Sequence, residues 1–274
     1  MKEIKNQTYF LYGYEEGYEK VPSENQGYLP FYDHSKMEIK QSLLPNDSKL
    51  KPNTKRKETK YITIHNTGMA HPSATAKGLA DYIHTTDRIA SWHFSLDDKE
   101  TYQHLELDEV GWHAGDGGHT WNEKYFNKTY NKECIGGGNL NSIGIESCVY
   151  KGVDFNMVLR RLAKLTAMLL IKYQLTLQDI KQHYDFSGKN CPQVIREANR
   201  WEEFLFLVDL ELFAQKELQD VKFNWKSLSL DIMDDEGKVI HHPNKAVKIN
   251  YQVEVEYNNI RKTYFFESTL LAKK

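Results

Sequence analysis

Apolar and polar positions alternate most clearly at Tyr61-Ile62-Thr63-Ile64, a β-branched run that predicts a strand ending in the turn-forming His65-Asn66-Thr67-Gly68. Over residues 75–86 the period changes, and Ala76, Leu79, Ala80 and Ile83 fall on one face of a short amphipathic helix. Residues 90–96 and 101–105 flank Asp97-Asp98-Lys99-Glu100, which predicts a hairpin with a four-residue turn. Ile143-Gly144-Ile145-Glu146-Ser147-Cys148-Val149 is read as a buried strand carrying one carboxylate. Asp154 is placed to cap a helix over residues 155–173, with Val158, Leu159, Leu162, Leu165, Met168 and Leu169 turned inward. Pro192 opens a further helix that runs through Val194, Ile195, Trp201, Phe204 and Leu205 towards Phe213.

Three regions depart from this order. Residues 1–55 have little period and several turn signals, and are read as an irregular arm wrapping the core, or a linker, with their aromatic residues favouring packing. Residues 119–142, polar and Gly-rich, predict a long loop. From about residue 221 alternation returns in some five short runs around Asp234-Asp235-Glu236-Gly237, a small all-β unit. The expected organisation is an arm at 1–55, an α/β domain at 56–215 and a β module at 216–274.

A chain of 274 residues supports one substantial core and a small appended module. Hydrophobic residues at 40% and charged residues at 27% are ordinary for a globular protein, and the net charge of -2 argues against general nucleic-acid binding. No segment has the length of a membrane span, and the first twenty residues lack the apolar run of a signal peptide. Three cysteines are too few for a disulfide framework; Cys134 and Cys148 can pair in an oxidising compartment or stay as buried thiols.

The densest chemistry lies in Gln182-His183-Tyr184-Asp185-Phe186-Ser187-Gly188-Lys189-Asn190-Cys191-Pro192. His183 and Cys191 are spaced to reach one metal ion across a Gly-containing loop, with Lys189 beside what the metal would bind. A catalytic zinc centre usually has three protein ligands and an open fourth position, so a third ligand must come from elsewhere. His65 sits where active sites are built, at a strand end beside a turn, although taken alone it reads as a surface histidine. A carboxylate inside an apolar strand is costly unless it is paired, exposed or functional, and Glu146 has the small neighbours Gly144 and Cys148 on its side of the strand. Gly111-Trp112-His113-Ala114-Gly115 suits a groove wall with a stacking face, and equally a plain loop around a core tryptophan.

Five phrases, Tyr61 to Thr67, Ala90-Ser-Trp-His-Phe94, Gly111-Trp-His-Ala-Gly-Asp116, Asn141 to Glu146 and His183 to Pro192, follow one another in an order that resembles the zinc-dependent N-acetylmuramoyl-L-alanine amidases of the amidase type 2 family, shared with phage lysozyme-like amidases and peptidoglycan recognition proteins. The resemblance implies a central mixed β-sheet flanked by helices. It implies Zn2+ held by His65, His183 and Cys191, Glu146 facing the attacking water, and Lys189 beside the substrate carbonyl. It implies a groove for a muramyl peptide of peptidoglycan lined by Asn66, Thr67, Trp92, His93, Trp112 and His113. Where phage lysozyme-like members carry a catalytic tyrosine, this chain has Trp92, which cannot exchange a proton, so acid-base work falls to Glu146. Structural hydrogen bonding near the site is an equal reading of His93 and His113, and His71, His84, His104, His119, His241 and His242 are read as solvated.

The C-terminal unit resembles, loosely, an abbreviated bacterial immunoglobulin-like module through Phe223 to Ser227 and Asp235 to Val239. The expected setting is the bacterial cell wall, reached by secretion or phage release, with a monomer favoured. A non-catalytic peptidoglycan-binding module and a zinc hydrolase of another amide are the alternatives; a pure binder has no need of Cys191, Glu146 and Lys189 together.

Overall fold

Ile62 and Ile64 stand in register with Ile143 and Ile145 on adjacent parallel strands, all four fully buried. Period-2 geometry then places Thr63, His65, Gly144 and Glu146 together on the opposite face. The computed structural model describes residues 12–14, 20–22, 37–115, 125, 136–237, 239–241 and 243–270. It divides into two compact units, the larger holding Met37–Phe213 and the smaller Ala214–Lys274.

Two short strands, β1 (Tyr12–Tyr14) and β2 (Lys20–Pro22), pair with each other. Along the chain follow β3 (Lys40–Gln41), β4 (Tyr61–Asn66), α1 (Ala76–Thr85), β5 (Phe94–Leu96), β6 (Thr101–Gln103), α2 (Gly137–Asn141), β7 (Ser142–Ser147), α3 (Phe155–Tyr173), β8 (Ile180–Gln182), α4 (His183–Ser187), α5 (Gln193–Glu197) and α6 (Trp201–Glu217). The six strands form one sheet in the order β3-β6-β5-β7-β4-β8. Only β5 and β6 pair antiparallel, so the sheet is mixed, as expected.

Local chemistry accounts for several of these elements. The Thr75 side chain accepts from the Gly78 N–H to start α1, and Asp154 accepts from Asn156 and Met157 to start α3. Asp97 shapes the hairpin turn by accepting from the Lys99 and Glu100 N–H groups at 2.8 Å each, while its second oxygen accepts from Ala76 at the head of α1. The apolar side of α3 lies against β4, β5 and β7, where the isoleucine face needs cover.

Four expectations change. Residues 37–55 belong to the core unit: β3 extends the sheet, Leu44 is buried, and the Lys51 ammonium makes a buried ion pair with Glu109 at 2.7 Å. Part of the expected loop at 119–142 is the helix α2, while Asp116, His119 and Cys134 lie outside the described residues. The single helix expected after Pro192 is two, α5 and α6, because Asn199 turns the chain at a left-handed φ of 55°. His104, expected in solvent, is buried with its Nε2 at 2.9 Å from the Ser95 hydroxyl.

The smaller unit contains β9 (Lys222–Ser227), β10 (Val247–Tyr257) and β11 (Ile260–Leu270), antiparallel in the order β11-β10-β9. Asn258 and Asn259, both at positive φ, make the two-residue turn between β10 and β11. Met233, Ile249, Tyr251 and Leu270 form its core, with Trp225 and Phe266 packed against them. Five short strands were expected, but the described residues between β9 and β10 form no further strand. Asp235 accepts from the Ser227 N–H at 2.8 Å, and among the described residues there Met233 and Val239 form a bridge. An immunoglobulin-like sandwich packs two sheets; the described residues of this unit contain one. His242 lies outside the described residues.

Candidate metal centre and its surroundings

Three parallel strands end at the same edge and deliver the site. His65 is the penultimate residue of β4, Glu146 that of β7, and His183 directly follows β8. Carboxyl ends of parallel strands are where open α/β sheets build ligand sites. The loop after α4 brings in the last member: Gly188 ends the helix at a φ of 73°, and the Tyr184 N–H donates to the Cys191 carbonyl at 2.9 Å, closing the loop.

His65, His183 and Cys191 are all buried, and each offers one donor atom within 4.8 Å of the others. His65 Nδ1 lies 3.0 Å from His183 Nδ1 and 3.8 Å from Cys191 Sγ. A tetrahedral ion at ordinary zinc–nitrogen and zinc–sulfur lengths needs edges of about 3.3 and 3.5 Å, so the donor spacing fits zinc. Glu146 adds its Oε1 at 4.0 Å from His65 Nδ1. Its Oε2 is buried without a hydrogen bond, although about a fifth of the side chain (19%) is exposed.

The electrostatics point the same way. Burial, with His183, His113 and Lys189 nearby, holds His65 well below the usual imidazole range, so it is neutral and able to ligate. Burial pushes the Cys191 thiol up to about 12 and the Glu146 carboxyl up to about 7, the latter opposed by the positive charges of Lys189 and Arg88. In both groups burial is the leading cause, and a dication beside them would favour their charged forms.

The expected groove residues divide. Trp112 is 39% exposed and offers a stacking face, and the buried Thr67 Oγ1 has no hydrogen-bond partner among the described residues. Asn66 is committed to the fold: its amide donates to Ser147 Oγ at 2.6 Å, and its Oδ1 accepts from the Val194 N–H at 2.8 Å. Trp92, expected as a wall, is buried and its indole N–H donates to Ser95 Oγ at 2.7 Å. His93 is also interior, accepting from the Gly144 N–H at Nδ1 and facing the Glu109 carbonyl through Nε2. These three side chains are occupied by internal partners. His113 is buried against His65, with His113 Nδ1 3.1 Å from His65 Nε2. Lys189 is exposed on the loop between the two halves of the ligand set.

Sequence reasoning missed three supports. Arg56 donates to the carbonyls of Leu107, Glu109 and Ser142, tying β7 to the segment before Val110. Asn139 Oδ1 accepts from the His113 and Ala114 N–H groups at 2.8 and 2.7 Å. The Ser147 hydroxyl donates to the His65 carbonyl at 2.6 Å. Arginine and asparagine in polar stretches carry no periodic signal; only an asparagine beside Gly136-Gly137-Gly138 hinted at close packing.

The sequence profile of the N-acetylmuramoyl-L-alanine amidase family matches residues 55–194. N-acetylmuramoyl-L-alanine amidase XlyA of Bacillus subtilis strain 168 is 37% identical over 144 residues, which are 53% of this chain and 42% of that one. N-acetylmuramoyl-L-alanine amidase CwlH of the same strain is 36% identical over 145 residues, 53% of this chain and 51% of that one. The chain thus spans about half the length of these curated relatives. Among solved structures, the catalytic domain of XlyA aligns with a TM-score of 0.53 at 33% identity, covering 63% of this chain and 99% of that domain. A mutant endolysin from Bacillus subtilis aligns with a TM-score of 0.54 at 34% identity, with the same coverage. With its metal-type donor cluster at the carboxyl edge of the sheet and the family profile spanning that cluster, this chain belongs to the N-acetylmuramoyl-L-alanine amidase family.

Proposed function

We propose that this chain is a zinc-dependent peptidoglycan amidase that hydrolyses the amide between the lactyl group of N-acetylmuramic acid and L-alanine. The observation that carries the reading is the buried His65–His183–Cys191 cluster with the Glu146 carboxylate 4.0 Å from His65 Nδ1. His65, His183 and Cys191 would hold the ion, which would supply Lewis acidity and lower the pKa of water there.

Glu146 is the general base. Its free oxygen accepts a proton from the attacking water as the new C–O bond forms, and returns it to the amine nitrogen as the C–N bond breaks. Lys189 reaches in from its exposed loop and stabilises the negative charge that develops on the carbonyl oxygen. Trp112 gives the substrate an apolar face. The products are a muramic acid carboxylate and an L-alanine amino terminus. The setting is the bacterial cell wall. No helix among the described residues is long and apolar enough to cross a membrane.

Digestion of purified cell walls followed by mass spectrometry of the fragments tests this. Peptide-free glycan strands and new L-alanine amino termini are expected. New reducing sugar ends, or cleavage within the stem peptide, would overturn the assignment.

A further inference from the structure

The His113 ring stands edge-on to that of His65, their planes at 87° and centroids 5.1 Å apart. Its Nδ1 is 3.1 Å from His65 Nε2, the nitrogen turned away from His183 and Cys191. We propose that His113 is a positioning residue of the metal centre, accepting the His65 Nε2–H and so holding His65 in the tautomer and orientation that present Nδ1 to zinc. The inference rests on the zinc-amidase reading and goes beyond it by giving one of the expected groove residues a different task.

The proton count leaves one arrangement. If His65 Nδ1 is to ligate, its proton must sit on Nε2, and the atom facing Nε2 must then be an acceptor. His113 Nδ1 is therefore bare, and the His113 proton lies on Nε2. The opposite arrangement, with His113 Nδ1–H donating to His65 Nε2, puts the His65 proton on Nδ1 and blocks the metal. Metal-binding histidines generally donate their second N–H to a carboxylate, a carbonyl or water, and that outer partner contributes to affinity. Here a second imidazole takes the place of that acceptor.

The fold is built around this contact. The backbone of His113 is pinned by Asn139 Oδ1, which accepts from both His113 and Ala114. The ring lies over residue 144 of β7, where a Cβ would come within 2.7 Å of His113 Cγ and Nδ1, so only glycine leaves room for it. On its far side His113 Nε2 is buried with no hydrogen-bond partner among the described residues. A substrate ligand would need that ring accessible; it is 8% exposed.

Zinc affinity, read by competition with a chromogenic chelator, tests the role without a turnover assay. His113→Phe fills the space without an acceptor and is expected to weaken zinc binding about 10- to 100-fold. His113→Asn keeps an oxygen near the Nδ1 position and is expected to remain within about threefold of the unaltered protein, a rescue that lost packing alone does not produce. Gly144→Ala, which touches no ligand, should weaken zinc in the direction of His113→Phe by pushing the ring aside.

Nitrogen-15 spectra of the unaltered zinc-loaded protein give an answer that needs no variant. A proton on His65 Nε2 and on His113 Nε2, with His113 Nδ1 bare, is expected; a proton on His113 Nδ1 overturns the proposal. Unchanged zinc affinity in His113→Phe and Gly144→Ala also overturns it while leaving the amidase reading intact. An unaltered chain that holds no zinc removes both.

Discussion

His65 and Glu146 are cross-strand partners, directly opposite each other on the parallel strands β4 and β7, with Glu146 Oε1 4.0 Å from His65 Nδ1. An imidazole donor and a carboxylate set in register on neighbouring strands share one rigid frame, so neither depends on a loop for its position. Lys189 and Trp112, by contrast, sit exposed outside the strands.

Glu146→Gln separates base catalysis from binding. The amide is close in shape to the carboxylate but cannot accept the proton, so turnover on cell walls should fall by about 100- to 10,000-fold. Zinc content, by elemental analysis, and sedimentation with insoluble walls should not change. An active Glu146→Gln protein removes this residue from the mechanism.

Cys191→Ser should cost the metal itself. A hydroxyl is far harder to ionise than a thiol, and the ion would lose its one anionic ligand. Dialysed protein should fall from one zinc per chain towards none, with activity lost in parallel. The unaltered protein should release a proton as it takes up zinc, because its metal-free thiol is pushed up to about 12. Calorimetric zinc titration in buffers of different ionisation heat measures that proton.

Acid should destabilise the fold through its buried histidines. Burial lowers His104 to about 4 from the ordinary imidazole value of 6.5. Its contribution to stability is therefore present above pH 6.5 and lost as pH falls from there through about 4, at most about 3 kcal/mol. His65, His93 and His113 are lowered as well and add to the same slope. Glu146, pushed up to about 7, acts with the opposite sign between its unfolded value and pH 7 in the metal-free protein. His104→Gln, which can still meet Ser95, should flatten the slope of unfolding free energy between pH 6.5 and 4 in urea titrations. An unchanged slope would mean that His104 is protonated in the folded state.

Lys51→Met leaves the buried Glu109 carboxylate without its cation and should cost about 3 to 5 kcal/mol. Lys51→Met with Glu109→Gln removes both charges and should recover a large part of that loss. Denaturant midpoints of the two variants, compared with Glu109→Gln alone, measure the coupling. Equal losses in the single and double variants would mean the pair contributes nothing by its charge.

Much of this molecule is legible along the chain, and the reasons are local. Tyr61 to Ile64 alternates, Thr75 and Asp154 carry the side chains that cap α1 and α3, and the four residues of the Asp97 turn lie between two strand-forming runs. The spacing of His183, Lys189 and Cys191 is local too, since one short helix and its glycine cap bring the ends of that stretch together. The phrases in family order supplied His65 and Glu146 as their companions.

What only the tertiary structure decided is how each polar side chain is used. Trp92 and Asn66 have the chemistry of groove residues, yet Ser95, Ser147 and Val194 take up their hydrogen-bonding capacity. His93 is held by Gly144 and Glu109, His104 by Ser95, and His113 meets His65 because residue 144 has no side chain. The pattern of apolar positions fixes which face of a strand is buried. It says nothing about which distant donor or acceptor satisfies a polar group once there, because that allocation depends on strands and loops that are neighbours only in the folded chain.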